Sequence, residues 1–159
     1  MEKNQLKMEK INKWGIRIIL ILLIPIVVLS AILILETRTL NYGNILNELE
    51  DVFGEGMILG VHDMGDGLIS SVVMIDGIRK SEQVYLDAIV KLRDFANRIS
   101  KYSIKNIHEI EVVIGLRDSI DDDNIISYTT IHANTLKSVN WESINSYEEL
   151  NRHLKINLQ

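Results

Sequence analysis

The sequence predicts an α+β protein: a single transmembrane helix near the N-terminus, followed by a small α-β-β-α-β-β-α sandwich with an antiparallel or mixed sheet. One uncharged and almost wholly aliphatic run lies at residues 18–35. After it, apolar residues recur first at helical spacing and then at strand spacing. The 159 residues include no cysteine and one proline. Packing, without disulfides or zinc–thiolate sites, must therefore hold the fold together.

The aliphatic run at residues 18–35 predicts a helix that spans a membrane. Fifteen of its eighteen residues are Ile, Leu or Val, and none is charged. A helix of this length covers about 27 Å, close to the roughly 30 Å hydrocarbon core of a bilayer. Pro25 is expected to bend it. Because the run is longer than the apolar part of a signal peptide, and Ser30 and Ala31 lie inside it, we expect an uncleaved signal-anchor, with cleavage as the alternative.

The charges beside this run predict its orientation. Five basic residues precede it, and Arg38 is the only cation shortly after it. An excess of basic residues before a span keeps the N-terminus in the cytoplasm. Residues 1–17 are therefore expected to form a cytoplasmic basic segment that contacts anionic membrane lipid. The prediction is a single-pass protein of the cell membrane whose C-terminal domain is extracytoplasmic.

A short polar linker, residues 36–43, leads into the predicted domain at residues 44–159. From residue 37 onward, twelve Lys or Arg stand against nineteen Asp or Glu, a difference of −7. An acidic surface repels the phosphate backbone of nucleic acids. We therefore exclude nucleic acid as a partner.

The first half of the domain predicts a helix and a hairpin. Residues 44–53 place apolar side chains at helical spacing and are followed by two glycines, which is typical of a short amphipathic helix. Two runs rich in β-branched residues, 57–62 and 68–75, flank the sequence DMGDG. Its glycines suit a tight turn, so an antiparallel hairpin is expected.

The longest helix is expected from residue 82 to about residue 101. Its apolar residues recur along one stripe, and the other side is charged. Two i,i+4 pairs of opposite sign, Asp87 with Lys91 and Asp94 with Arg98, are expected to form on the exposed side.

The second half of the domain predicts two strands and a final helix. Residues 109–116 alternate between apolar and acidic side chains, which indicates a strand with one buried face. Residues 125–132 are rich in Ile, Tyr and Thr and predict another strand. Ser146 and Glu149 have the spacing of a capping box that opens a helix. Trp141 is expected to pack against the same core.

The first candidate site is the predicted hairpin tip. His62, Asp63 and Asp66 lie within five residues, and imidazole with carboxylates could bind a divalent cation. Short loops of Asp and Gly are also ordinary turns, and that reading needs no ligand. We therefore assign no metal site here.

An acidic loop at residues 118–123 is the second candidate. Asp118, Asp121, Asp122 and Asp123 offer oxygen ligands that suit calcium. The loop lacks the D-x-D-x-D-G core of a calcium loop, since position 120 is Ile. A polar connection between two strands explains the loop without a metal, and the sequence leaves calcium binding open.

Catalytic residues are not assigned. Ser70 and Ser71 lie in a predicted strand without the G-x-S-x-G context of a nucleophile. His108, His132 and His153 belong to different predicted elements, and no cofactor-binding loop occurs.

Two hypotheses of function follow. In the first, the domain is a noncatalytic binding or assembly module of the cell envelope that acts through protein–protein contacts, with an envelope protein or a second copy as partner. In the second, it is a small envelope hydrolase, or a ligand-binding or metal-binding sensor, that uses the His62–Asp66 loop. The first is preferred because the chain shows no catalytic motif.

Overall fold

The computed structural model describes residues 21, 23–32, 39–119 and 124–159. The chain divides into two compact units, Met1–Arg38 and Thr39–Gln159. All strands and all labelled helices below belong to the second unit.

In the first unit, the helical residues that the structure describes are 21 and 23–32. Within the described part of the chain, no helix has both the length and the apolar composition that crossing a membrane requires.

This finding corrects every prediction that depended on the run at 18–35. The transmembrane helix, the signal-anchor and the lipid contact through an N-terminal helix are not supported. The predicted single-pass location in the cell membrane, with residues 1–17 cytoplasmic and the domain extracytoplasmic, depended on that helix and is not supported either. Hydropathy measures composition alone and does not establish a helix. Residues 18–20, 22 and 33–35 lie outside the described residues.

The second unit is an α+β sandwich built on a mixed sheet of five strands, as the α+β class predicted. Its elements in chain order are α1 (Tyr42–Phe53), β1 (Ile58–Gly65), β2 (Leu68–Ile75), α2 (Glu82–Ile99), β3 (Glu109–Leu116), β4 (Ile125–His132), α3 (Ala133–Ser138), a 3₁₀ turn (Trp141–Ser143), α4 (Tyr147–His153) and β5 (Lys155–Leu158). The predicted α-β-β-α-β-β-α order is incomplete, because the structure adds elements before and after the last predicted helix. The short α3, the 3₁₀ turn and the last strand were not predicted.

The strands lie in the sheet in their chain order, β1-β2-β3-β4-β5. Strands β2 and β3 are parallel, and α2 makes the crossover between them; the other neighbouring pairs are antiparallel. Parallel neighbours need such a crossover connection, whereas antiparallel neighbours can be joined by a short turn.

The helices cover one face of the sheet. In β3, Ile110, Val112 and Ile114 are fully buried, while Glu111 and Val113 between them are only half-buried. Side chains alternate between the two faces of a strand, so this pattern separates a covered face from an open one. The covered face packs against α2 through Leu92, Phe95 and Ile99, among other residues. Trp141 is also buried in this core, as predicted.

The two cations predicted to form pairs within α2 bind the neighbouring helix α1 instead. Arg98 Nη1 donates to Glu48 Oε2 at 3.0 Å and to Asp51 Oδ2 at 2.9 Å. Lys91 Nζ donates to a backbone carbonyl of α1 at 3.1 Å, and Asp94 accepts from its chain neighbour, an arginine. The predicted i,i+4 pairing is therefore wrong, because tertiary packing offers Lys91 and Arg98 partners on α1.

Candidate interaction surface

The face of the sheet opposite the helices is named here the open face. Strand register aligns its side chains into rows that cross all five strands. One row consists of His62, Ser70, Glu111, Thr130 and Lys155, one residue from each strand in order. This row is polar, and each of its side chains is half-buried or exposed.

The adjacent row is more apolar. It consists of Gly60, Val72, Val113, Tyr128 and Asn157. The valines are half-buried, and Tyr128 keeps 42% of its surface exposed. Aliphatic and aromatic groups therefore reach the surface beside a polar row.

A shallow groove runs between β3 and β4 on this open face. Glu111 lies opposite Thr130, and Val113 lies opposite Tyr128, so the four side chains form the corners of one patch. Within the described part of the chain, the Glu111 carboxylate and the Thr130 and Tyr128 hydroxyls have no hydrogen-bond or ion-pair partner. The groove therefore presents polar groups that a bound molecule could engage.

A second carboxylate of the open face already has a partner. Glu109 Oε2 lies 3.2 Å from His132 Nδ1, the residue opposite it on β4. Met74 lies over Gly115, where an added Cβ would come within 3.0 Å of the Met74 sulfur. The glycine thus lets Met74 cover the end of the sheet.

The predicted hairpin tip is a two-residue turn. Asp66 and Gly67 have φ values of 50° and 77°, and positive φ at both central residues is the requirement of a type I′ turn. Asp63 Oδ1 accepts a hydrogen bond from the Gly65 amide at 2.9 Å, so this carboxylate stabilises the approach to the turn. Asp63 and Asp66 therefore take part in an ordinary turn, which is the alternative to metal binding that the sequence analysis gave.

His62, Asp63 and Asp66 do not gather into a metal site. All three are exposed, and His62 and Asp63 are successive strand residues, whose side chains point to opposite faces. Across the described residues, no group of three His, Cys, Asp or Glu is placed to hold a metal ion.

An open depression does lie beside this hairpin tip. Its lining includes Asp63, Asp66, Asn41, Tyr42 and Lys105. These residues come from three chain segments, namely the hairpin, the start of α1 and the loop before β3. The depression is open to solvent, and apolar side chains such as Leu40, Ile69 and Ile107 also line it.

The acidic loop is only partly described. Asp118 is exposed, whereas Asp121, Asp122 and Asp123 lie outside the described residues. Calcium binding at residues 118–123 stays a sequence-based hypothesis.

The two serines have different surroundings. Ser71 is buried, and its hydroxyl donates to the Glu111 carbonyl at 2.8 Å, which is a structural role. Ser70 lies on the open face between His62 and Glu111. A hydrolytic triad needs the histidine between serine and acid, but here His62 and Glu111 are two strands apart, roughly 10 Å.

The other predicted histidines are dispersed. The His108 backbone amide donates to the Gly67 carbonyl at 2.8 Å and fixes the hairpin tip against the start of β3. The His153 ring meets the edge of Trp141 with centroids 6.2 Å apart. The structure places these histidines on separate elements, as the sequence indicated.

Sequence reasoning missed the groove at Glu111, Val113, Tyr128 and Thr130. The alternation of residues 109–116 predicts that Glu111 lies on the exposed face of its strand. The same alternation applied to β4 would have placed Tyr128 and Thr130 on one face. The antiparallel register that brings Tyr128 next to Val113 was not readable, because it depends on a loop rather than on a tight turn.

Comparison of the chain with family models, with curated proteins and with solved structures finds no match. The fold and the surface define the class of this unit: a two-layer α+β domain with an open mixed sheet.

Proposed function

We propose that the unit Thr39–Gln159 is a noncatalytic protein-binding or assembly module that acts through the open face of its sheet. The observation that carries this proposal is the pair of rows on that face, where half-buried valines and an exposed tyrosine lie beside polar side chains. Surfaces on which apolar and aromatic side chains are exposed beside polar ones are typical of protein interaction sites.

Contacts at the two edge strands of the sheet indicate that the open face, and not an edge, is the interaction surface. On β1, the Tyr42 hydroxyl donates to the Val61 carbonyl at 2.6 Å. On β5, the Ile156 amide donates to Asn151 Oδ1 at 3.0 Å. One backbone group on each edge strand is therefore occupied by a side chain, which hinders the addition of another strand at that point.

A second apolar surface lies in the helical layer and competes with this proposal. Leu86 and Val90 on α2 are exposed and line a groove with Ile144, Tyr147 and Leu150. Any test of the open face must therefore include this groove.

Site-specific photocrosslinking in living cells tests the proposal. A photoreactive amino acid replaces Tyr128 on the open face, Leu86 in the helical groove, or Asp94 on the polar side of α2. The proposal expects protein adducts, including any with a second copy of the chain, at position 128 well above those at position 94. Adducts at 86 alone, or equal yields at all three positions, would reject the open face as the binding surface.

A ligand-binding or hydrolytic role of the His62–Asp66 loop is the alternative. It is favoured by the depression that Asp63 and Asp66 share with Lys105. Titration of the chain with zinc, manganese and calcium tests its metal-dependent form. If none of these ions releases heat or raises the melting temperature, that form is rejected.

A further inference from the structure

We propose that the groove between β3 and β4 binds a cationic side chain, lysine or arginine, of a partner protein. This inference rests on the proposed function, because it names the chemistry by which the open face recognises its partner. Glu111 supplies the counter-charge, and Tyr128 supplies an aromatic surface.

The spacing of the groove fits one extended cationic side chain. Neighbouring strands lie about 4.8 Å apart, and residues two apart on one strand lie about 7 Å apart. Glu111, Thr130, Val113 and Tyr128 therefore bound a patch that is long enough for an aliphatic stem with a charged end. Lys and Arg side chains bind in this manner, with the stem on apolar groups and the charge at a polar end.

The Glu111 carboxylate is the electrostatic reason for a cationic partner. It is half-buried, and within the described part of the chain it has no ion pair. The other carboxylate of the open face, on Glu109, already faces His132. Lys155 stands in the same row as Glu111 but two strands away, roughly 10 Å. Among the described residues no cation pairs with Glu111, so its carboxylate is available to a partner cation.

The Tyr128 ring adds to the same preference. A cation is attracted to the face of an aromatic ring, and Tyr128 is exposed beside the groove. The methyl groups of Val113, opposite it, can pack on the stem of the bound side chain.

The charge of the whole unit acts in the same direction at longer range. Residues 39–159 contain eleven Lys or Arg and nineteen Asp or Glu. An acidic surface of this kind raises the local concentration of cationic partners and repels anionic ones. The groove supplies the specific contact within this field.

Peptide binding to the full chain tests the inference. The probes are a short synthetic peptide of alternating lysine and threonine and its counterpart of alternating glutamate and threonine. The lysine peptide should bind and should shift the amide resonances of residues along the β3–β4 groove, whereas the glutamate peptide should do neither. Glu111→Gln should weaken lysine-peptide binding about fivefold, the effect of losing one exposed ion pair.

Two further variants distinguish groove binding from general charge effects. Glu50→Gln removes the same charge from an exposed site on α1 and should leave the affinity nearly unchanged. Tyr128→Leu keeps an apolar side chain but removes the ring, and it should also weaken binding. Equal losses for Glu111→Gln and Glu50→Gln, or equal binding of both peptides, would overturn the inference.

The inference and the proposed function can fail separately. If photocrosslinking at position 128 yields protein adducts but Glu111→Gln changes neither their yield nor peptide binding, the open face binds proteins by other chemistry, and only the inference fails. If position 128 yields no adducts above the control position, the proposed function fails and the inference fails with it.

Discussion

The phenolic hydroxyl of Tyr102 donates a hydrogen bond of 2.7 Å to Glu48 Oε1. Arg98 donates to the other oxygen of the same carboxylate, so Glu48 joins α1 to the C-terminal end of α2 with both oxygens. The Glu48 side chain is only 15% exposed. The hydrogen bond to Glu48 and, next, burial raise the pKa of Tyr102 to about 12.

The first prediction concerns stability at high pH. Because the pKa of Tyr102 in the folded chain is raised above the ordinary value of 10.0, its contribution is present below pH 10 and is lost as the pH rises through about 12. The free energy of unfolding should fall more steeply over this range in the natural chain than in Tyr102→Phe. Urea unfolding at stepped pH measures the difference. Tyr147→Phe is the control and should follow the natural chain.

The second prediction compares the two acidic partners of Arg98. Glu48→Gln removes a half-buried charge that two donors share and should cost about 2 kcal/mol of unfolding free energy at neutral pH. Asp51→Asn removes a side chain that is 66% exposed and should cost less than about 1 kcal/mol. Chemical denaturation measures both. Equal costs would show that the sharing of the Glu48 carboxylate adds nothing to stability.

The third prediction separates backbone strain from close packing at two glycines. Gly67 and Gly56 have φ values of 77° and 78°, so alanine is strained at both, by about 1 kcal/mol. At Gly67 a Cβ would also lie 2.6 Å from the Asn106 carbonyl, whereas at Gly56 it would meet nothing within 4 Å. Gly67→Ala should therefore lower the melting temperature clearly more than Gly56→Ala. Similar losses would rule out a packing role for Gly67.

The fourth prediction concerns buried hydroxyls in the core. The Thr129 hydroxyl is buried and has no hydrogen-bond partner among the described residues, while the Ser71 hydroxyl is buried and bonded. Thr129→Val keeps the shape and removes an unpaired polar group, so the unfolding free energy should rise by about 1 kcal/mol. Ser71→Ala should lower it by a similar amount. A loss of stability in Thr129→Val would indicate an unseen partner, such as a buried water.

Local patterns were sufficient to predict most of the fold. Residues 109–116 alternate in the sequence and form a strand with those bounds, and DMGDG encloses the turn at Asp66 and Gly67. Periodicity succeeds here because burial on one face imposes a period of two on a strand. The strand at Lys155–Leu158 was missed because four residues carry too little pattern to detect.

Contacts between residues far apart in the chain could not be predicted from the sequence. Arg98 was assigned to Asp94, four residues away, but binds Glu48 and Asp51 on another helix. The groove was missed for the same reason, because Val113 and Tyr128 become neighbours only through strand register. The membrane span predicted for residues 18–35 rested on composition alone, and no helix among the described residues has the length and apolar composition to cross a membrane.

Accessibility of the open face can be tested with a pair of cysteines. The chain contains no cysteine, so Thr129→Cys and Thr130→Cys place single thiols on the covered face and on the open face. In the purified full chain, a maleimide should label Thr130→Cys rapidly and Thr129→Cys only after unfolding.

The most direct test of an interaction surface on the open face is to repeat this labelling in the native cells. We expect Thr130→Cys to be labelled much more slowly there than in the purified chain, because a protein partner covers the groove. Equally rapid labelling of Thr130→Cys in both settings would contradict the account, since nothing would then occupy the open face.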